Sequence, residues 1–276
     1  MALRHAAITQ LRRHTVRGAS EQLSQRLAQE VKRLLRAHPL SRWLWRQQRI
    51  GESGLERPLL PYVLAWNAVM ETHSLPGDIV EAGVYKGGTS MVMAYASLHL
   101  ANRNNTGLRH MWMYDTYEGL PEPGKEDGSR AQKRWSDIRS LDTNNFKHGT
   151  GYIDASGKKR WNYGPLEMVR QNMLSTGYPM QIVTFVKGKV EDTLQDATQL
   201  PQQISVLRLD TDFFASTAKE LEVLFPRLVS GGVLLIDDYC HWRGSKAAVD
   251  VFLKTHHHML QNIQSKGNAC FRAVKR

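Results

Sequence analysis

Apolar positions near the start of the chain recur with a helical period. Five of them lie three or four residues apart, with Arg, Lys and Gln between them: Leu23, Leu27, Val31, Leu34 and Leu35. This spacing predicts an amphipathic helix. A second helix is predicted over residues 60–72, and it ends before the turn at Pro76 and Gly77.

After residue 75 the pattern changes to short apolar runs that alternate with helical segments. The runs predict five strands, at residues 79–83, 111–114, 182–186, 204–209 and 233–236. Helices are predicted after the first, fourth and fifth strands, at residues 89–100, 217–228 and 246–257. Such alternation is typical of an α/β fold, in which helices cover both faces of a mainly parallel sheet.

One long polar stretch, residues 120–164, interrupts this alternation. It is rich in Gly, Asp, Asn and Lys, and it contains Trp135 and Trp161. A connection of this length inside a compact domain is usually functional, so we interpret it as a lid-like insert. The predicted organisation is a basic helical extension over residues 1–74, followed by an α/β domain over residues 75–276.

The positive charge of the chain is concentrated in residues 1–49. The whole chain carries a net charge of +11, and this segment contributes +9 from eleven Lys and Arg residues and two acids. No nucleic-acid-binding motif accompanies the charge, so we predict no nucleic-acid partner. The amphipathic stripe, with Trp43 and Trp45, instead favours packing on the α/β domain or on a partner subunit of a homo-oligomer. The alternative is peripheral contact with an anionic membrane.

Cysteine content and hydropathy predict a cytoplasmic location. The chain has two cysteines, Cys240 and Cys270, which give no disulfide framework. No apolar run approaches the length of a membrane span or forms the core of a secretory signal.

The first candidate site is the glycine-rich turn after the first predicted strand, Glu81-Ala-Gly83-Val-Tyr85-Lys-Gly87-Gly88-Thr89. Glycines there let backbone amides approach a ligand at a helix N-terminus, although close packing explains many such turns equally well. Glu81 is an acid inside an apolar strand, so it needs a buried partner. The ammonium group of a ligand would provide one.

The second candidate is Asp115, directly after the second predicted strand. In doubly wound folds an acid at this place commonly binds ribose hydroxyls. The alternative is a turn or helix-capping residue. The glycine-rich turn upstream favours the ribose interpretation.

The third candidate consists of acids that follow two consecutive strands, Asp210 and Asp212 after the fourth and Asp237 and Asp238 after the fifth. Parallel strands place these ends at one edge of the sheet, where the carboxylates repel one another unless a cation neutralises them. Oxygen ligands suit Mg²⁺, Mn²⁺ or Ca²⁺. Each acid alone would serve as a helix cap, but the coincidence at two strands favours a metal site.

These motifs, in this order, resemble the macrocin O-methyltransferase family. The resemblance rests on Glu81-Ala-Gly83-Val-Tyr85-Lys-Gly87-Gly88, Asp115-Thr-Tyr-Glu-Gly119-Leu-Pro121, Leu207-Arg-Leu-Asp210-Thr-Asp212 and Gly231-Gly-Val-Leu-Leu-Ile-Asp237-Asp238-Tyr239. It implies a class I methyltransferase (Rossmann-like) fold with a mainly parallel seven-stranded sheet. It also implies an enzyme that depends on S-adenosylmethionine and on Mg²⁺ or Mn²⁺. Its acceptor would be a hydroxyl of a sugar, a glycosylated natural product or a glycan.

The resemblance also implies roles for individual residues. The residues implied to bind the cofactor are Glu81 at the methionine amino group, Gly83 and Tyr85 in the turn beneath it, Thr89 at the carboxylate, Asp115 at the ribose, and Val190 and Glu191 beside the adenine. The implied metal ligands are Asp210, Asp237 and Asp238, and Asp210 is also the implied catalytic base.

Two alternatives remain open at this point. One is a methyltransferase of the catechol or phenol type, a group that generally carries a Lys three residues after the first metal-binding Asp. Phe213 occupies that position here, which favours an aliphatic hydroxyl as the acceptor. The other is a module that binds an adenosine cofactor without catalysis. The paired acids count against it, because binding alone does not require them.

Overall fold

The computed structural model of the chain describes residues 60–104, 107–140, 151–154, 156–266 and 270–276. The predicted N-terminal helix with its apolar stripe, Trp43 and Trp45 all lie outside these residues. No helix in the described part is both long enough and apolar enough to cross a membrane.

Nine strands are present in the described residues: β1 Asp78–Ala82, β2 Met111–Asp115, β3 Gly151–Ile153, β4 Lys159–Trp161, β5 Val183–Lys187, β6 Ile204–Leu209, β7 Leu228–Ile236, β8 Leu260–Lys266 and β9 Cys270–Lys275. The α-helices are α1 Leu60–Glu71, α2 Gly88–Asn104, α3 Gly128–Ser140, α4 Leu166–Leu174, α5 Val190–Thr193, α6 Phe214–Val223 and α7 Arg243–His256.

Seven of the strands form one sheet, in the order β5-β2-β1-β6-β7-β9-β8. The first five in this order are parallel, and β9 runs antiparallel to both β7 and β8. β3 and β4 form a separate hairpin. This is the mainly parallel seven-stranded α/β sheet that the family resemblance implied. The carboxyl ends of β1, β2, β6 and β7 lie at the same edge, as parallel pairing requires.

Burial on both faces explains why the central strands are continuous apolar runs. Successive side chains of β1 enter different halves of the core. Ile79 packs with Trp66 of α1 and Met91 of α2 on one face, and Val80 packs with Phe252 of α7 on the other. Because α1 contributes to this core, its apolar face is buried against the sheet domain. The predicted domain boundary at residue 74 stays a prediction.

The five predicted strands are present as β1, β2, β5, β6 and β7, and β6 has the predicted bounds. The predicted bounds of the helix at 217–228 were wrong. α6 begins at Phe214 and ends at Val223, Pro226 lies in a short 3-10 turn, and Leu228 begins β7. Proline cannot continue the helical hydrogen bonds, which explains the early end.

The insert carries more secondary structure than its polar composition suggested. Within residues 120–164 the structure contains α3 and the β3–β4 hairpin. Ala131 and Ile138 of α3 pack with Trp161 of β4 against Phe213, which precedes α6. The described part of the insert is therefore packed on the carboxyl edge of the sheet by a small apolar core of its own. Its role as a lid stays a prediction.

Candidate functional site

The turn between β1 and α2 brings the backbones of two strands close together. Gly83 has a φ of 83°, and a Cβ atom there would collide with the backbone oxygen of Asp210. Glycine is therefore required by both the dihedral angle and the close approach. Tyr85 follows with a φ of 51°. The predicted cofactor turn thus lies directly beside the first residue of the predicted metal site.

Asp115, the last residue of β2, holds this turn in place. Its Oδ2 accepts hydrogen bonds from the backbone N–H groups of Val84 at 2.8 Å and Tyr85 at 2.9 Å. Its Oδ1 accepts one from the N–H of Tyr117 at 2.7 Å. Hydrogen bonds to a carboxylate are the stronger kind, so Asp115 fastens the ends of β1 and β2 together. Its contact with ribose stays a prediction.

Glu81 is 1% exposed and has two partners from the chain itself. The guanidinium of Arg208 donates to Oε1 at 2.6 Å, and the Ser90 hydroxyl donates to Oε2. Burial raises the pKa of Glu81 to about 7, although Arg208 favours its charged form. Arg208 is therefore a buried partner for Glu81 within the chain. Glu81 does not require the ammonium group of a ligand as its partner. The assignment of Glu81 to the methionine amino group stays a prediction.

A cavity of about 140 Å³ lies at the carboxyl edge of the sheet, between the glycine-rich turn and the insert. The predicted cofactor residues that line it are Gly83, Tyr85, Asp115, Val190 and Glu191. Asn162 of the insert lines it as well. Two predicted residues, Glu81 and Thr89, are buried and do not line it. The structure thus brings five of the seven predicted cofactor residues to one cavity.

The predicted metal ligands are close together. Carboxylate oxygens of Asp210, Asp237 and Asp238 lie within 4.8 Å of one another. Arg208 reaches this group too, with Nη2 2.9 Å from Asp210 Oδ2 and 3.4 Å from Asp237 Oδ1. Asp238 is 8% exposed, and its Oδ2 is buried without a hydrogen-bond partner in the described structure.

Asp212 adds a fourth carboxylate beside this cluster. It is buried and has a φ of 67°, a conformation that is uncommon outside glycine. Burial, and after it the repulsion of neighbouring carboxylates, raises the pKa values of Asp212 and Asp238 well above the usual range. The single positive charge of Arg208 does not balance these acids together with Glu81.

This arrangement fits a hard divalent cation. Three carboxylates converge, all of their ligand atoms are oxygen, and one buried oxygen of Asp238 has no hydrogen-bond donor among the described residues. A dication would supply the positive charge that Arg208 alone does not.

A second cavity, of about 580 Å³, lies between this acidic cluster and the insert. Asp210 and Asn162 line both this cavity and the smaller one, so the two meet at these residues. Trp161 and Trp242 form part of the wall, with ring centroids 5.5 Å apart. The guanidinium of Arg130, from α3, lies 5.0 Å from the Trp242 ring. A ligand here would contact the carboxylates on one side and aromatic rings on the other.

Sequence reasoning missed two residues that shape the site. The pattern placed Arg208 only within a buried strand, although a charge inside an apolar run, two residues before an acid, is a signal of a buried ion pair. Asp127 was not noticed within the polar insert. Its Oδ1 accepts a hydrogen bond from the N–H of Phe214 at 2.7 Å, and its Oδ2 accepts one from Gly124 at 2.7 Å. Asp127 therefore caps α6 from a distant part of the chain.

Comparison with known proteins places the chain in a family. The family model of the macrocin-O-methyltransferases (TylF) matches residues 60–154 and 154–271. A 4'-O-methyltransferase of a rhamnosyl-tetracenomycin C from Streptomyces olivaceus is 35% identical over 165 residues, which are 60% of this chain and 54% of that protein. The demethyldecarbamoylnovobiocin O-methyltransferase of Streptomyces niveus is 28% identical over 65% of this chain and 59% of that protein. The match thus spans only 54–59% of the length of these two relatives.

Solved structures share the fold. The O-methyltransferase NovP superposes with a TM-score of 0.60 at 24% identity, covering 80% of each chain. The calicheamicin methyltransferase CalS11 superposes with a TM-score of 0.55 at 19% identity, covering 91% of each chain. The matched residues include all four motifs that carried the resemblance, so the chain belongs to the macrocin-O-methyltransferase family.

Proposed function

We propose that the chain is an S-adenosylmethionine- and divalent-metal-dependent O-methyltransferase that acts on a hydroxyl of a sugar, a glycosylated natural product or a glycan. The observation that carries this proposal is the position of Asp210. It lines both the cavity of the glycine-rich turn and the larger cavity beside the acidic cluster. A carboxylate at such a junction can contact both reactants of a group transfer.

In the proposed reaction, S-adenosylmethionine supplies an electrophilic methyl group on a sulfonium centre. The acceptor oxygen forms a bond to the methyl carbon as the carbon–sulfur bond breaks, and the hydroxyl proton must leave. Asp210 is positioned to accept that proton at its carboxylate. Gly83 permits the close approach of the two strands, and Asp115 orients the turn through its hydrogen bonds to Val84 and Tyr85. Holding both reactants in register contributes much of the rate.

The proposed metal residues are Asp210, Asp237 and Asp238. Bound Mg²⁺ or Mn²⁺ would lower the pKa of a coordinated hydroxyl group. Arg208 holds the side chains of Asp210 and Asp237 from the buried side, which fixes their orientation.

The sugar acceptor is proposed from the relatives and from the larger cavity. One relative is named as acting on a rhamnosyl group, and another as a mycinamicin III 3''-O-methyltransferase. Trp161 and Trp242 give the larger cavity aromatic walls near the carboxylates, a combination typical of small-molecule sites. Phe213, in place of the catechol-type Lys, is 3% exposed and packs on Trp161. It therefore offers no polar group to a phenol.

The N-terminal segment is proposed to take part in assembly of a cytoplasmic homo-oligomer. Residues 1–49 combine a +9 charge with an apolar stripe, and burial of such a stripe against protein is commoner than contact with a membrane. Deleting these residues should lower the oligomeric state and the acceptor affinity. Loss of vesicle co-sedimentation, with the oligomer and solution activity intact, would favour the membrane instead.

Chelation tests the proposed activity. The full chain is incubated with labelled S-adenosylmethionine and a panel of sugar-bearing acceptors, with a catechol as the control acceptor. We expect transfer to a sugar hydroxyl, its loss in excess chelator and its recovery on addition of Mg²⁺. Full activity in chelator would eliminate the metal. Tight binding of S-adenosylhomocysteine, without turnover of any acceptor with or without Mg²⁺, would support the non-catalytic module.

A further inference from the structure

A third cavity, of about 590 Å³, lies between the insert and the ends of β2 and β5. Its lining is strongly basic. Six cationic side chains line it: Arg139, Lys158, Lys159, Arg160, Lys187 and Lys189. Glu118 is the one acidic residue in the lining that the structure describes. The local charge is therefore about +5, whereas all residues after position 49 together carry a net charge of only +2.

Contacts within the described residues neutralise only part of this charge. Arg160 pairs with Asp154 at 2.9 Å and with Glu118 at 3.5 Å, and Lys187 pairs with Glu118 at 3.1 Å. The ammonium of Lys159 donates to the backbone oxygen of Arg139 at 2.9 Å, which carries no full charge.

The remaining cations of the lining have no acidic partner among the described residues. The Arg139 guanidinium lies 5.7 Å from the centroid of the Trp135 ring, a cation–π contact that leaves its N–H donors available. The side chains of Lys158 and Lys189 are exposed and form no ion pair with any residue that the structure describes. Like charges gathered around one cavity repel one another, and a bound anion removes that cost.

We propose that this cavity, here called the basic cavity, binds a ligand with two or more adjacent phosphate groups. A single carboxylate would leave most of the charge unbalanced, whereas a diphosphate offers several negative oxygens to the lysines and to the planar guanidinium groups. The volume of about 590 Å³ accommodates a diphosphate group.

The basic cavity adjoins the smaller cofactor cavity but does not include the acidic cluster. None of Asp210, Asp237 and Asp238 lines it. It shares six lining residues with the cofactor cavity, two of them at the turn implied to flank adenine: Thr116, Gly119, Leu120, Pro121, Gly188 and Lys189. The diphosphate would therefore lie beside the adenosine end of the cofactor and away from the acidic cluster. Anion binding and methyl transfer can therefore be measured separately, and the failure of one proposal does not decide the other.

Calorimetry with inorganic pyrophosphate tests the proposal, on the full chain in buffer freed of divalent metals. We expect binding, with orthophosphate weaker than pyrophosphate. Lys158→Glu removes one attractive charge and adds a repulsive one, so it should weaken binding about tenfold or more. Glu118→Gln removes the acid that pairs with Lys187 and, more distantly, with Arg160, which keeps its pair with Asp154. It should tighten binding about two- to fivefold. A misfolded variant cannot produce that gain.

A charge-reversal control is Lys254→Glu, which changes an exposed residue of α7 that does not line the basic cavity. It should alter pyrophosphate affinity less than about twofold, since solvent-exposed charges outside a site are largely screened by salt. Equal weakening by Lys158→Glu and Lys254→Glu would overturn the proposal. So would the absence of pyrophosphate binding, or binding of a single-stranded RNA oligonucleotide in its place.

Discussion

Carboxylates lie at the ends of four parallel strands, at one edge of the sheet, and their surroundings differ between the two halves of that edge. At the ends of β1 and β2, the chain supplies donors to each carboxylate, from Arg208 and Ser90 to Glu81 and from three backbone N–H groups to Asp115. At the ends of β6 and β7, the acids crowd one another, and a buried oxygen of Asp238 has no donor in the described structure.

The difference shows that an acid at the end of an apolar strand can have either of two roles. On the β1–β2 half the carboxylates have a structural role, because they accept hydrogen bonds that join segments of the chain. On the β6–β7 half they carry negative charge that the protein does not fully neutralise, which is the condition for binding a cation. Mutations should therefore affect stability on the first half and chemistry on the second.

The largest expected effect comes from Asp210→Asn. This change removes the proposed base and one ligand charge, so kcat should fall by about 10³–10⁴. The substitution is nearly isosteric, so the unfolding temperature should change little. Steady-state kinetics and a thermal melt measure the two quantities.

Glu222→Gln is the matched control, because it removes an exposed carboxylate from α6 that pairs with Lys219. Its kcat should equal that of the unmodified chain. If Asp210→Asn retained more than about a tenth of the activity, Asp210 would not be the base. The carboxylates at the ends of β6 and β7 would then have no demonstrated catalytic role that distinguishes them from Glu81 and Asp115.

Sequence pattern predicted the β-sheet well because the central strands are buried on both faces and read as continuous apolar runs. It also located Asp210, Asp237 and Asp238, since parallel strands necessarily bring their ends to one edge. The pattern did not locate β8 and β9. β8 is the edge strand, and its polar residues, such as Gln261 and Gln264, are exposed and give no apolar run. β9 lies between β7 and β8, but Arg272 interrupts its apolar positions.

The partners of the carboxylates were beyond the reach of sequence pattern for a different reason. Arg208 meets Glu81 across two strands that are 127 residues apart, and Asp127 meets Phe214 across 87 residues. Local spacing contains no information about such pairs. The sequence therefore indicated where acids gather but not which of them the chain would neutralise.

Arg208→Met should have the largest effect on stability. It leaves Glu81 buried with only Ser90 as a partner, and breaking a buried ion pair typically costs about 3–5 kcal/mol. Adding Glu81→Gln removes the orphaned charge, so the double variant should recover much of that loss. Urea unfolding of the four proteins in the cycle measures the coupling.

An equal loss in the single and double variants would show that Arg208 acts mainly through Asp210 and Asp237. In that case the ion pair with Glu81 contributes little, and Glu81 would be free to meet a ligand as the sequence suggested.

Asp115→Ala distinguishes the structural role of Asp115 from its proposed contact with ribose. Losing the acceptor of three backbone hydrogen bonds should lower the unfolding free energy by about 1–3 kcal/mol, and should weaken S-adenosylhomocysteine binding at least about tenfold. Asp115→Asn keeps one carbonyl acceptor and should lose less of both. Calorimetry and chemical denaturation on the same samples decide the question. Weaker binding at unchanged stability would mean that Asp115 serves the ligand alone.

The smallest expected effect tests whether a carboxylate also has a structural role on the β6–β7 half. Asp127 caps α6 through the N–H of Phe214, and replacing a capping Asp by Ala typically costs about 0.5–2 kcal/mol. Asp196→Ala is the matched control, because Asp196 accepts a hydrogen bond from Thr198, only two residues away.

Both variants lose a cap, but of the two residues Asp127 is the one that joins the insert to α6. The insert carries Trp161 and Arg130, which line the cavity beside the acidic cluster. Asp127→Ala should therefore also raise the KM for the acceptor while kcat stays nearly constant. Asp196→Ala should leave both constants unchanged. A loss of kcat without a change in KM would contradict this expectation, because a displaced insert should change only how the acceptor is bound. Asp127 would then act by positioning the carboxylates of the acidic cluster.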